Sequence, residues 1–112
     1  MTHQMKLQPG PFEKIARGEK TVELRLFDEK RSKIKVGDEI EFTKLAALEE
    51  KLLTKVLALH RFDSFEQLYK CLPLEKCGYS PGETADFRDM EAYYSKEEQA
   101  LYGVVGIELC KT

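Results

Sequence analysis

The sequence lacks the long hydrophobic runs that carry a chain across a membrane. Its longest apolar stretches are a few residues, such as Leu57-Ala58-Leu59, whereas a bilayer requires roughly 20. The N-terminal residues also lack an apolar segment followed by a small-residue cleavage site, so no export signal is indicated. We therefore expect a cytoplasmic protein that is not associated with a membrane.

Cysteine is scarce, and its placement excludes a disulfide framework. Cys71, Cys77 and Cys110 are odd in number and form no CxxC pair. Such a set is typical of free thiols in a reducing compartment, and its spacing matches no recognised zinc site. A glycine-rich loop of the P-loop or dinucleotide type is also absent. We therefore expect no metal and no cofactor.

Glycine and proline are few, with 7 and 4 in 112 residues, and no repeat or biased segment interrupts the chain. Hydrophobic residues make up 42% and charged residues 34%, which is typical of a compact globular protein. A chain of this length can bury one hydrophobic core but not two. We therefore expect a single domain over residues 1–112.

Charge is nearly balanced, but it is unevenly distributed. The net charge of -2 argues against a protein that grips duplex DNA over its whole surface. Residues 1–35 hold nine Lys or Arg against five Asp or Glu, while residues 36–112 hold nine against fifteen. The basic region is either an ordinary solvated surface or part of a site for an anionic ligand.

Hydrophobic periodicity predicts short strands interleaved with helices. Strands are expected at 5–7, 21–26, 39–43, 52–62 and 103–110, and helices at 11–17, 64–72, 84–94 and 95–101. The strand 52–62 carries apolar residues on both faces, which predicts a central strand covered on both sides, with His60 in the core. The fold class is α+β, a small curved β-barrel with flanking helices.

One segment concentrates the chemistry. Gly18 is expected to end a helix, and the strand that follows carries Glu23 and Arg25 on its polar face. Lys20 lies just before this strand. On a convex surface this would be an ordinary salt bridge. In a cleft, Arg25 would supply a planar fork for phosphate, Lys20 a point charge and Glu23 an acceptor for an amine. Such a set suits a nucleotide. We also assign Thr21 to the site as the nearest hydroxyl, which shares a face with Lys20 only if Lys20 lies in the turn before the strand.

Three stretches of the chain resemble the ASCH domain. They are Gly18-Glu19-Lys20-Thr21-Val22-Glu23-Leu24-Arg25, the segment 34–42 with its Gly37-Asp38 turn, and the segment 94–107. The resemblance covers about residues 5 to 110. It implies a PUA-like fold with a cleft beside the motif strand, and a module that binds RNA or a nucleotide or nucleoside, often in coactivator or translation-linked settings.

The same resemblance implies an enzymatic alternative. Some small bacterial members deacylate N4-acetylcytidine with a Lys, a Thr three residues later and a more distant Glu. Lys20 matches the lysine, Glu23 stands where the threonine would be, and the distant carboxylate is not assignable among Glu66, Glu75 and Glu83.

If the protein is an enzyme, the catalytic residues are Lys20 and Glu23. Glu23 would act as a general base only if burial raised its pKa more than the nearby cation lowered it. A small-metabolite or protein-interaction domain is a third reading, which the acidic remainder of the chain permits.

Two tyrosines are further candidates for contacting a base. Tyr79 lies in the turn-rich segment 77–82, where it would either stack on a base or pack on its own scaffold. Of Tyr93 and Tyr94, one is expected in the core and the other at the cleft, and we assign Tyr94 to the cleft.

Overall fold

A five-stranded sheet organises the chain, and the computed structural model describes all residues 1–112. The strands are β1 (Thr2–Leu7), β2 (Val22–Leu26), β3 (Glu39–Lys44), β4 (Ala47–Phe62) and β5 (Val104–Lys111). The α-helices are α1 (Pro9–Ala16), α2 (Glu29–Ser32), α3 (Phe65–Cys71) and α4 (Lys96–Tyr102). Two 3₁₀ helices, Leu74–Cys77 and Phe87–Ala92, lie between α3 and α4.

The sheet is mixed, and it curls so that its two edges approach each other. The strand order is β1-β3-β4-β5-β2, with β1 parallel to β3 and the other pairs antiparallel. Arg25 on the edge strand β2 donates a hydrogen bond from Nη2 to the carbonyl of Lys6 on the opposite edge strand β1, at 2.9 Å. The predicted α+β class and the central place of β4 are confirmed, and the barrel is a curled half-barrel with flanking helices.

Apolar residues pack on both faces of the sheet. On the inner face, Phe12 and Ile15 of α1 cover a cluster that includes Phe42 and Ile107. On the outer face, α3 packs against the other side chains of β2, with Val22, Leu24, Leu26, Phe65 and Leu68 all buried. Because alternate residues of a strand point to opposite faces, Glu23 and Arg25 point away from α3.

The predicted helix over 84–94 is wrong. Only Phe87–Ala92 is helical, and it is a 3₁₀ helix. Asp86 accepts a hydrogen bond from the backbone N–H of Arg88, two residues on, at 2.9 Å. This is an N-cap bond, and it begins the helix at Phe87, three residues later than predicted.

The prediction that β4 is covered on both sides is also wrong. Only the end of β4 at Phe62 packs against the outer cluster, and Leu57 in the middle of the strand is 45% exposed. His60 is likewise half-exposed and not in the core. Its Nε2 lies 3.0 Å from Glu108 Oε1 on the neighbouring strand β5, which makes it half of a cross-strand pair.

No helix is suited to crossing a bilayer, and the longest, α1, has eight residues.

Candidate functional site

A cavity of about 470 Å³ opens at the seam where the edge strands β1 and β2 approach each other. We call it the seam cavity. Its walls come from the end of β1, the first turns of α1, the strand β2 and the segments 77–83 and 90–94. The seam cavity therefore lies beside the strand that carries Lys20, Glu23 and Arg25, and all three side chains line it.

The end of α1 places Lys20 in this cavity. Gly18 has a φ of +78°, and the chain reverses so that the carbonyl of Lys14 accepts from the N–H of Glu19 and that of Lys20, at 2.9 and 3.1 Å. The Lys20 side chain then passes across Gly78, where a Cβ would lie only 3.3 Å from Lys20 Cδ. The absence of a side chain at Gly78 therefore makes room for the buried lysine.

Glu23 lies between two cations. Lys20 Nζ is 2.9 Å from Oε1 and Arg25 Nε is 2.8 Å from Oε2, and the three side chains are only 10, 6 and 14% exposed in the order Lys20, Glu23, Arg25. Burial raises the pKa of Glu23, but the charges of Lys20 and Arg25 and their hydrogen bonds lower it more, so that it falls below its ordinary value of 4.5. The structure therefore favours an ionised, ion-pairing Glu23 over a general base.

Arg25 links this ion cluster to the other edge of the sheet. Its Nε bonds to Glu23 and its Nη2 to the carbonyl of Lys6. Neither of these bonds uses Nη1. The guanidinium is thus held in place on one side and keeps donors for a ligand, which suits the planar recognition of a phosphate or a carboxylate.

A second pair of charged residues fixes the loop wall of the cavity. Lys14 Nζ donates to the carbonyl of Gly78 and lies 3.7 Å from Glu83 Oε1. Of the three distant glutamates left open by the sequence, Glu83 lines the cavity, whereas Glu66 and Glu75 do not. The lining as a whole carries the four cations Lys6, Lys14, Lys20 and Arg25 against two carboxylates, Glu23 and Glu83.

Four tyrosines line the remaining wall: Tyr69, Tyr79, Tyr93 and Tyr94. The hydroxyl of Tyr79 lies 2.9 Å from that of Tyr69 and 2.7 Å from Asp89 Oδ2, so Tyr79 is bound to its own scaffold. Tyr94 reaches the cavity but stacks on Phe65, with ring centroids 5.7 Å apart. The prediction that Tyr93 lies in the core is wrong, because Tyr93 is 69% exposed and offers the more open ring.

Thr21 is not brought into the cavity with the other predicted residues. Its N–H donates to the carbonyl of Lys76 and its own carbonyl accepts from Leu109, and it is not part of the lining. No serine or threonine lines the cavity at all. The thiol of Cys77 does, but burial raises its pKa to about 11, so it is a poor nucleophile at neutral pH.

Sequence reasoning missed several lining residues. Lys6 and Lys14 were signalled only by the basic excess of the first 35 residues, Gly78 only by its place in the turn-rich segment 77–82, and Tyr93 was expected in the core. Their roles depend on which loops meet at the seam, and local patterns do not encode that.

A comparison with protein families identifies the same family that the sequence motifs resemble. The sequence model of the ASCH domain matches residues 5–112. The chain belongs to the ASCH domain family. No curated protein matches the chain at a significant level.

Solved structures with the same architecture include two at 31% identity. A hypothetical protein designated PH0355 covers 100% of both chains with a TM-score of 0.85. The protein PF0455 from Pyrococcus furiosus aligns over 99% of this chain and 97% of its own, with a TM-score of 0.73. The ASCH protein from Zymomonas mobilis, at 17% identity, aligns over 96% of this chain and 66% of its own with a TM-score of 0.65, which shows a shared fold.

Proposed function

We propose that this ASCH domain binds a nucleotide or a short stretch of single-stranded RNA in the seam cavity. The observation that carries the proposal is the convergence of Lys20, Glu23 and Arg25 inside a cavity rather than on a convex surface. A volume of about 470 Å³ is within the usual range for small-molecule sites. It suits one unpaired nucleotide and not a duplex.

Side chains, rather than a helix end, would hold the phosphate. Pro9 and Pro11 begin α1 and have no backbone N–H, so the first turn of this helix offers few donors. Lys20 and Arg25 have donors beyond those that Glu23 uses, and Lys14 lies on the same wall. Charge-assisted hydrogen bonds from these groups are the strong kind that phosphate recognition requires.

The aromatic wall would hold the base. Tyr93 is exposed and lines the cavity beside Met90 and Tyr94. Stacking of a base on an aromatic ring contributes about 1–3 kcal/mol and tolerates any base. The geometry therefore supports recognition by charge and stacking more than by a pattern of base-edge hydrogen bonds.

The amidohydrolase alternative finds less support in the site. Hydrolysis of an N4-acyl group needs an activated nucleophile or water and a base. The cavity lining contains no hydroxyl of Ser or Thr, and the pKa of Glu23 is lowered. Release of cytidine from N4-acetylcytidine, lost in Lys20→Ala and followed by mass spectrometry, would establish the enzymatic reading instead.

Calorimetric titration with 5′-cytidine monophosphate tests the binding proposal. Arg25→Ala should weaken binding by more than about 1 kcal/mol, because it removes a charge-assisted hydrogen bond. Arg17→Ala is the matched control, since Arg17 is exposed, pairs with Glu19 and lies outside the cavity. Equal affinities of the two variants would contradict the proposal.

Tyr93→Ala provides a second variant in case Arg25→Ala disturbs the fold. The ring is largely exposed, so its removal should leave stability nearly unchanged while nucleotide affinity falls.

A further inference from the structure

A second pocket adjoins the seam cavity and is lined by basic residues without any carboxylate. Its volume is about 410 Å³. The lining consists of Gln4, Met5, Lys6, Arg25, Lys30, Arg31 and Thr43. Four of these seven residues are cations, a composition that favours an anionic occupant. We call this the basic pocket.

The basic pocket and the seam cavity are neighbours that share part of their lining. Lys6 and Arg25 line both of them. The hydrogen bond from Arg25 to the carbonyl of Lys6 therefore lies at the boundary between the two depressions. A ligand that extends from the seam cavity to the basic pocket would therefore cross over Arg25 and Lys6.

Arg31 is held in the basic pocket with an unused donor. Its Nη1 lies 3.0 Å from Asp28 Oδ2, and Asp28 also caps α2 by accepting from the backbone N–H of Arg31. Its Nε is buried and has no hydrogen-bond partner. This buried atom is out of reach of a ligand, but none of the Arg31 bonds uses Nη2, which keeps its donors for an anionic group in the pocket.

Two carboxylates reduce the charge of this region without cancelling it. Asp28 pairs with Arg31, and Glu23 pairs with Arg25. Lys6 and Lys30 have no carboxylate within ion-pair distance. The basic pocket therefore keeps a local positive excess in a protein whose net charge is -2.

We propose that the two pockets are successive subsites for one single-stranded RNA, with a nucleotide in the seam cavity and the next phosphate against Lys30 and Arg31. This inference rests on the proposed function and deepens it, because it makes the ligand an oligonucleotide and not a free nucleotide. Covalent linkage makes engagement of the second subsite intramolecular, so affinity rises with length until both pockets are filled.

The experiment compares 5′-cytidine monophosphate with an oligocytidylate of about eight nucleotides, a length within the range that single-strand-binding folds cover. Both are titrated at neutral pH into the wild type, Lys30→Gln and Lys33→Gln. Lys33 is the matched control, because it caps the C-terminus of the helix that carries Lys30, is 67% exposed at its side chain and lines neither pocket.

The oligonucleotide should bind at least about tenfold tighter than the monophosphate to the wild type. Lys30→Gln should weaken the oligonucleotide about three- to tenfold and reduce its salt slope by about one phosphate contact, while the affinity for the monophosphate stays unchanged. Lys33→Gln should change neither affinity.

Three results would overturn the inference in distinguishable ways. Equal affinities for the monophosphate and the oligonucleotide would overturn the extended path alone and leave the nucleotide site intact. Binding of neither ligand would overturn the proposed function as well. Inorganic polyphosphate of matched charge, bound as tightly as the oligonucleotide and equally weakened by Lys30→Gln, would identify a general polyanion groove and contradict an RNA path.

Discussion

At the scale of single residues, the buried carboxylate of Glu23 determines the chemistry of the seam cavity. The spacing of Glu23 and Arg25 on one strand face was predictable from the alternation of β2. The burial of these two side chains was not predictable, because an alternating strand has the same sequence pattern whether its polar face lies against solvent or a cavity. The balance between desolvation and ion pairing at Glu23 likewise depends on Lys20. The reversal of the chain at Gly18 places Lys20 beside Glu23.

Replacing Glu23 by Gln should produce a pH-dependent loss of stability. The lowered pKa of Glu23 stabilises the fold at every pH above its ordinary value of 4.5, and this contribution is lost as the pH falls through the lower folded-state pKa. At neutral pH, Glu23→Gln leaves two cations unpaired and should cost about 3 kcal/mol of unfolding free energy. Urea unfolding over a pH series should show the two proteins converging in acid, and a constant difference would contradict the ion-pair account.

Gly78→Ala should disturb Lys20 specifically. Gly78 has a φ of +114°, and an added Cβ would lie 3.3 Å from Lys20 Cδ. We expect a loss of about 1–2 kcal/mol in unfolding free energy from the strained backbone, together with weaker nucleotide binding. Gly82→Ala is the control, because Gly82 has a φ of +91° but no atom within 4 Å of the added Cβ. If both variants retain full affinity, Gly78 does not position Lys20.

At the scale of elements, the features that depend on local bonds were predictable. The serine N-caps at Ser64 and Ser95 are both present. They were predictable because a hydroxyl beside free backbone donors is a local sequence signal. The exposure of the outer face of β4 was not predictable, because it depends on where α3 packs. The prediction for 84–94 was wrong in extent and type, because Asp86 caps a shorter 3₁₀ helix that begins at Phe87.

Ser95→Ala should destabilise the protein through α4. Ser95 and Glu98 form a reciprocal capping box, with bonds of 3.0 and 3.1 Å between side chains and backbone. α4 carries the buried Gln99, whose Oε1 accepts from the N–H of Phe65 at 3.0 Å. Loss of the cap should cost about 1 kcal/mol and lower the Tm by about 4 °C.

Ser32→Ala is the control for this measurement, because its hydroxyl is exposed and bonds only within α2. It should stay within about 0.5 kcal/mol of the wild type. An equal loss of unfolding free energy in the two variants would show that the capping box stabilises the protein no more than an exposed surface hydroxyl does.

At the scale of the whole molecule, most of the basic residues of the first 35 positions gather around the two pockets. All six cations of the two pockets come from the first 35 residues: Lys6, Lys14, Lys20, Arg25, Lys30 and Arg31. The basic excess was visible in the sequence, but its concentration at one seam was not. The seam joins β1 and β2, which lie at opposite edges of the sheet with three strands between them.

This charge distribution predicts a marked dependence of oligonucleotide binding on salt. The logarithm of the association constant should fall linearly with the logarithm of the salt concentration, by about 0.7 for each phosphate that the cations neutralise. Anisotropy measurements with a labelled oligocytidylate would give the slope, and unlabelled cytidine, which has no phosphate, should show almost no dependence in parallel titrations. A slope near zero for the oligonucleotide would mean that the cations do not contact phosphates.

The most direct test of the central claim is a titration of ¹⁵N-labelled protein with 5′-cytidine monophosphate, followed by the backbone amide signals in NMR. We predict saturable shifts at residues 20–25, 77–83 and 90–94, the segments that surround Lys20, Glu23 and Arg25, with little change around the exposed Leu57 on the outer face of β4. Shifts on that outer face, or no shifts at millimolar nucleotide, would contradict a nucleotide site at the seam.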